Sequence, residues 1–188
     1  MNRWVTTVSS GVFCLFLAGG VLSADDGKDA KSDKHGKADA WATLLDGDEE
    51  TLGKARIQEG PEGVVIRLSL DGLAPGWKAI HIHEKGTCED HHEGFVASGG
   101  HLDPHDRMHG LLNVDGPELG DLPNIWVHDD GRVKAEIYAP GVTLNGDGNG
   151  LLSGDGTALV IHENQDDHQS QPIGGAGSRV ACGVVESD

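Results

Sequence analysis

No stretch of this chain sustains the three- and four-residue apolar spacing of a helix; short apolar segments are instead cut off every 8 to 12 residues or so by Gly, Asp, Asn and Pro. The segments cover residues 42–45, 63–70, 77–83, 125–128, 133–138, 157–162 and 179–185. Within Val64-Val65-Ile66-Arg67-Leu68-Ser69-Leu70 the second half alternates cleanly, as a strand with one buried face requires. Asp129-Asp130-Gly131 reads as a tight hairpin, and Asp71-Gly72 and Asn145-Gly146 mark further turns. With 188 residues, enough for one domain, and 29 glycines to supply turns, the chain is expected to be all-β. The expected form is a Greek-key barrel or sandwich, immunoglobulin-like, of eight strands.

The N-terminal residues carry a different signal. Residues 1–24 begin Met1-Asn2-Arg3, continue through the apolar Val12-Phe13-Cys14-Leu15-Phe16-Leu17-Ala18, and finish on small residues before Asp25-Asp26. That pattern is expected to be a secretory signal peptide, too short and too interrupted to remain as an anchor, so the mature form has no membrane segment. Residues 25–39 alternate Asp, Lys, Gly, Ala and Ser with no apolar side chain larger than Ala, the composition of a disordered charged leader. The domain proper is expected over 40–188. Export places the protein in the periplasm or outside the cell, where the two cysteines left after removal of Cys14, namely Cys88 and Cys182, are expected to form a disulfide. A formal net charge of −17 and the absence of any basic patch exclude nucleic acid and anionic membrane surfaces as partners.

Two long stretches have little strand character: 84–124, rich in Gly, His, Asp and Pro, and 163–178. Loops this long in a compact domain are usually functional, since something other than strand pairing must order them. Most of the 11 histidines fall in these loops or at their roots, which makes metal chemistry the leading expectation. In His81-Ile82-His83 the two imidazoles share one face of a strand while Ile82 enters the core. His101, His109, Asp121 and His162 sit at loop or strand ends from which they could converge on the same region, a donor set suited to copper and zinc.

The residues resemble the copper/zinc superoxide dismutase family from about residue 42 onward. The resemblance is carried by His81-Ile82-His83-Glu84, Gly99-Gly100-His101-Leu102-Asp103-Pro104, His109-Gly110, Gly120-Asp121-Leu122-Pro123-Asn124, Leu159-Val160-Ile161-His162-Glu163, Asp166-Asp167, and the run Gly174-Gly175-Ala176-Gly177-Ser178-Arg179-Val180-Ala181-Cys182-Gly183-Val184. It is closer to the secreted bacterial branch than to the cytosolic animal one.

The resemblance implies copper ligands at His81, His83, His101 and His162, with His101 bridging to zinc. It implies zinc ligands at His101, His109 and Asp121. The family's remaining zinc histidine is replaced here by Glu118; either this carboxylate or His105 would complete the zinc set, unless that site is weak or empty. Asp166 would accept hydrogen bonds from one copper histidine and one zinc histidine, and Arg179 would guide the anionic substrate. His101 and Arg179 would then be the catalytic residues, the reaction being disproportionation of superoxide into dioxygen and hydrogen peroxide. The alternatives are a copper-only dismutase and a copper-binding or transfer module on the same fold, and the protein would be a monomer or a homodimer. Asp167, His168 and the pair His91-His92 are expected on the exposed loop surface, and the Gly-Asp-Gly pieces at 146–148 and 154–156 are expected to be ordinary turns.

Overall fold

The computed structural model describes residues 40–187 together with Met1. Apart from Met1, the signal segment and the charged leader therefore lie outside the described residues. The first strand, β1 (Ala40–Asp46), buries Ala40, Ala42 and Leu44 completely. Its turn is closed by the Asp46 carboxylate, which accepts the backbone N–H groups of Asp48 and Glu50. The chain returns as β2 (Thr51–Gly60), a strand absent from the apolar segments read in the sequence. Its buried residues, Leu52, Ala55 and Ile57, are not evenly spaced. Leu44 pairs with Gly53 and Leu45 with Thr51, so Leu52 is the extra residue of a bulge that breaks the period-two pattern.

Strand β3 (Gly63–Leu70) points Val64, Ile66, Leu68 and Leu70 inward, as its alternation predicts. β4 (Gly76–Lys78) and β5 (Ile80–His83) are separated only by Ala79. β6 (Ile125–Val127) and β7 (Val133–Pro140) are joined by a tight turn at the expected place, where the Gly131 N–H donates to the His128 carbonyl and the His128 N–H to that of Arg132. β8 (Ala158–His162) and β9 (Arg179–Ser187) complete the set, and the described residues contain no α-helix, only short 3-10 turns at His91–Glu93 and Val96–Ser98.

Seven strands form one antiparallel sheet in the order β5-β8-β9-β1-β2-β3-β7, and β4 pairs with β6. At Ala79 one bent strand changes partners: its residues before the bend pair with β6, those after it with β8. Counted this way the nine segments are eight strands of a curled, barrel-like sheet, as expected. The connections β3 to β4 and β7 to β8 each pass over intervening strands, which is the Greek-key signature.

The core runs through the middle of this curl, with Leu44, Ile57, Ile66, Ile80, Ile82, Leu159 and Ile161 fully buried. On β5, His81 and His83 alternate with Ile80 and Ile82 and so face away from the core, yet they are only 0% and 1% exposed. The long loops roof that outer face. A second small apolar cluster of Phe95, Ala158, Val160 and Cys182 packs the first loop down, and the Cys88–Cys182 disulfide ties it to β9.

Candidate metal centre

Backbone pairing of loop against strand assembles the site. The Ile82 N–H donates to the Gly120 carbonyl at 2.9 Å, and the Ile82 carbonyl accepts from Leu102 N–H at 2.8 Å. Those bonds lay His101 beside His83 and Asp121 beside His81, as isolated bridges at the edge of the sheet. Gly120 is needed for this approach, because a Cβ there would lie 2.3 Å from the Ile82 carbonyl oxygen. Likewise a Cβ on Gly174, at φ +59°, would collide with Asp166 Oδ1, so the second loop can carry that carboxylate down to the site only past a glycine.

Four imidazoles meet on the outer face of β5 and β8. One nitrogen from each of His81, His83, His101 and His162 lies within 4.8 Å of the others, and all four residues are buried. Each ring has one nitrogen anchored. His81 Nε2 lies 3.0 Å from Asp166 Oδ2, His83 Nδ1 3.0 Å from the Gly99 carbonyl, His162 Nδ1 3.2 Å from the Gly177 carbonyl, and His101 Nδ1 2.6 Å from Glu118 Oε2. The opposite nitrogens, His81 Nδ1, His83 Nε2, His101 Nε2 and His162 Nε2, are buried without any hydrogen-bond partner. Leaving buried polar atoms unpaired is costly, and four converging ones are what a nitrogen-liganded ion requires. Burial pushes His83 down to about 2, His162 to about 3 and His81 to about 4 from an ordinary 6.5, so these rings are neutral and their lone pairs available.

His101 faces a second set with its other nitrogen. His101 Nδ1 and His109 Nδ1 lie 3.2 and 2.8 Å from Asp121 Oδ1, and 2.6 and 3.2 Å from Glu118 Oε2. A tetrahedral ion with bonds of about 2.0 Å has donor–donor edges of about 3.3 Å, so slight expansion of this cluster would accommodate zinc. His81 also falls near His101, His109 and Asp121, but its Nε2 is engaged by Asp166, and the Nδ1 it leaves unpaired belongs to the first set. Here the electrostatics run the other way. Burial opposes a charged His109, but hydrogen bonds to Asp121, Asp166 and Glu118 outweigh it and raise the ring to about 11. His101 is raised by Asp121 and Glu118 against the same penalty. Asp121 is held well below the usual carboxylate range because its histidine hydrogen bonds outweigh burial. The pocket is built for positive charge.

Asp166, fully buried, joins the two sets: Oδ2 meets His81 Nε2 and Oδ1 meets His109 Nε2 at 3.1 Å. Asn124 braces it, accepting the Asp166 N–H and donating to the Asp166 carbonyl, both at 2.8 Å. Arg179 donates to the carbonyls of Phe95 and Gly99 and to Ser98 Oγ, and the Gly99 carbonyl it grips is the one that orients His83.

His105 is exposed and makes no hydrogen bond to the second set. His168 corrects the expectation of a surface histidine: it is half-buried, with Nδ1 3.4 Å from Asp166 Oδ2 and its N–H donating to Asp166 Oδ1 at 2.6 Å. Gln171 was not singled out in the sequence at all, yet its amide holds both the N–H and the carbonyl of His109. Gln171 has no local signal because it reaches His109 across 62 residues, and His168 meets Asp166, two residues before it, through the turn of an irregular loop that no periodicity marks.

Fold and site together define an antiparallel β-barrel with two adjacent centres sharing a buried imidazole. The family profile described as copper/zinc superoxide dismutase (SODC) matches residues 51–185. The superoxide dismutase [Cu-Zn] of Caulobacter vibrioides is 48% identical over 150 residues, covering 78% of this chain and 85% of that protein. The superoxide dismutase [Cu-Zn] 2 of Aquifex aeolicus is 43% identical over 173 residues, covering 90% and 95%. Among solved structures, a SOD-like protein from Bacillus subtilis matches with a TM-score of 0.72 at 35% identity, covering 77% of this chain and 96% of that one. The Cu/Zn superoxide dismutase from Brucella abortus matches with a TM-score of 0.62 at 28% identity, covering 78% and 99%. The chain belongs to the copper/zinc superoxide dismutase family.

Proposed function

We propose that His81 Nδ1, His83 Nε2, His101 Nε2 and His162 Nε2 hold copper, and that His101 Nδ1, His109 Nδ1, Glu118 and Asp121 hold zinc. The reaction is the disproportionation of two superoxide anions and two protons into dioxygen and hydrogen peroxide. Copper supplies the electron transfer by alternating between two oxidation states. The observation that carries the assignment is the set of four buried, partnerless ring nitrogens.

The chain's own groups do the rest. Arg179, permanently charged and fixed by three hydrogen bonds, draws the small anion toward the imidazoles against a formal net charge of −17. Distant carboxylates oppose it weakly, since screening acts over about 8 Å at physiological ionic strength. His101 Nε2, whenever it is not bound to the ion, would carry the proton delivered to the product, while its Nδ1 stays between Glu118 and Asp121. Asp166 keeps the His81 and His109 rings from turning. Every donor comes from one chain, so the site is complete in a monomer and equally in a homodimer.

A copper-only enzyme is disfavoured, because His109, Asp121 and Glu118 are gathered against His101 Nδ1 in a set whose spacing suits a second ion. A transfer module is disfavoured by the full set of four imidazoles beside Arg179. The apolar segment at 1–24 and the Cys88–Cys182 bond support action in the periplasm or outside the cell. N-terminal sequencing of the exported chain should start at Asp25, and recovery of the uncleaved chain from the cytoplasm would overturn this. For the reaction, His162→Ala should remove copper and abolish superoxide consumption while the thermal transition remains cooperative; undiminished activity would refute the site.

A further inference from the structure

The two donor sets differ in how they meet solvent. Among the second set, the side chains of His109 and Asp121 are 0% exposed and that of His101 3%, whereas Glu118 is 18% exposed. Glu118 and Asp121 also form part of the wall of a cavity of about 190 Å³ whose other walls include Leu111, Leu119, Tyr138 and His105. None of His81, His83 and His162 lines this cavity. It therefore reaches the second centre without passing the first. His105 and Tyr138 are exposed, and the His105 ring makes no hydrogen bond to any described residue.

We infer that this cavity is the route by which the divalent cation enters and leaves the second centre, with Glu118 as its gate and His105 as the outer donor that receives the ion first. The inference rests on Glu118 being a zinc ligand, and extends it. A glutamate at this position is a flexible anionic arm: it can rotate into the cavity carrying an ion on one carboxylate oxygen while His101, His109 and Asp121 stay fixed by their burial. An imidazole bound through a single ring nitrogen, and packed as His109 is, has no such freedom. Among the described groups that line the cavity, two carboxylates and one imidazole are the only titratable donors besides the phenol of Tyr138. The carboxylates of Glu118 and Asp121 stand at the inner end of the path and the His105 imidazole at its mouth, so a cation meets a donor at either end. The consequence is that zinc exchanges independently of copper.

A passage alters the rates of entry and exit by the same factor and leaves the equilibrium affinity alone, which separates it from a ligand. The test uses the copper-loaded enzyme and follows zinc uptake and release by stopped flow against a chromogenic chelator. Cobalt(II) in the second centre gives a visible-absorption report of the donor set. Leu111→Trp, which fills the cavity, should slow uptake and release alike by about tenfold, with an unchanged dissociation constant and cobalt spectrum. Pro123→Trp, on another wall, provides the same block should the first variant fold poorly. His105→Ala should slow uptake at low zinc concentration by about threefold without changing the cobalt spectrum. Exchange at the parental rate in both tryptophan variants would overturn the route. Glu118→Gln distinguishes the two levels of the argument: an unaltered cobalt spectrum would remove Glu118 from the donor set and the inference with it, whereas an altered spectrum combined with unaffected tryptophan variants would refute the route alone.

Discussion

His101 Nδ1 lies 2.6 Å from Glu118 Oε2, and the opposite nitrogen of the same ring has no partner in the protein. One imidazole is thereby held by a carboxylate on one edge and offered to a second centre on the other. With Glu118 as the proposed fourth donor, the zinc site would be more anionic than one with three histidines and an aspartate.

Exchanging that carboxylate for an imidazole should therefore change zinc preference and leave copper alone. Glu118→His should tighten zinc binding by about tenfold, imidazole nitrogen being a favoured zinc donor, with copper affinity unaltered. Competition against a zinc chelator checks this, and unchanged zinc affinity would show that Glu118 does not ligate.

The two centres should draw their protons from different rings. His109, raised to about 11, is charged near neutral pH in the metal-free protein, whereas His81, His83 and His162 are neutral. Zinc binding at pH 7.5 should therefore release at least one proton per ion, from His109, and subsequent copper binding one more, from His101 Nε2, because that ring can hold two ions only after losing its last proton. Calorimetry in buffers of different ionisation enthalpy measures both, and a zinc step that releases no proton would contradict the charge assignment.

Acid should destabilise the metal-free protein early. His81, His83 and His162 are held near 4, 2 and 3 in the fold against 6.5 in the unfolded chain. As pH falls the unfolded chain takes up protons first, so the stability tied to these neutral rings is complete above 6.5 and lost progressively below it. Each ring should cost about 2 kcal/mol by pH 5. His109 works in the opposite sense: its contribution is complete below 6.5 and is lost progressively as pH rises from there through 11, so between pH 7.5 and 5 it returns about 1 kcal/mol and offsets only part of the combined loss. Urea midpoints at pH 7.5 and 5 test this, and a flat profile would contradict it.

Arg179 should control the ionic-strength dependence of the reaction. If local attraction governs access, the parental rate falls as salt rises, and Arg179→Ala should lower the low-salt rate about tenfold and abolish the dependence. Arg179→Lys should recover part of the rate, but not all, because a lysine cannot make the three contacts that fix the guanidinium. A parental rate that increases with salt would show that the net negative charge dominates.

Removing the Cys88–Cys182 bridge should loosen the loop that carries Gly99 and Ser98. A cross-link spanning 94 residues stabilises by about 4 to 5 kcal/mol on chain-entropy grounds. Cys182→Ser should therefore lower the urea midpoint sharply, and because the Gly99 carbonyl orients His83, copper affinity should fall as well. A large loss of stability with copper affinity intact would show that the loop is held by other contacts.

Much of the barrel is legible from alternation and turn chemistry: β3 follows its Val64 to Leu70 pattern, and the tight turn from β6 to β7 falls at Asp129-Asp130-Gly131. β2 is not legible, because the bulge at Leu52 shifts its inward residues off period two. The bend at Ala79 is equally hidden, since it depends on which strands lie on either side.

The sequence by itself determines which donors are available and that His81 and His83 share a face, because the two-residue period of a strand is a local property of the backbone. It also carries Glu118 in the place of a family histidine. Only the tertiary structure decides which ring nitrogen of each imidazole is tied down and which is free, that Glu118 reaches both His101 and His109, and that His168 rests against Asp166. Most of those relationships join separate segments, His101 to Glu118 across 17 residues and His81 to Asp166 across 85, and depend on loop backbone pairing such as Gly120 on Ile82, while His168 meets Asp166 through the fold of the second loop; no local periodicity encodes either.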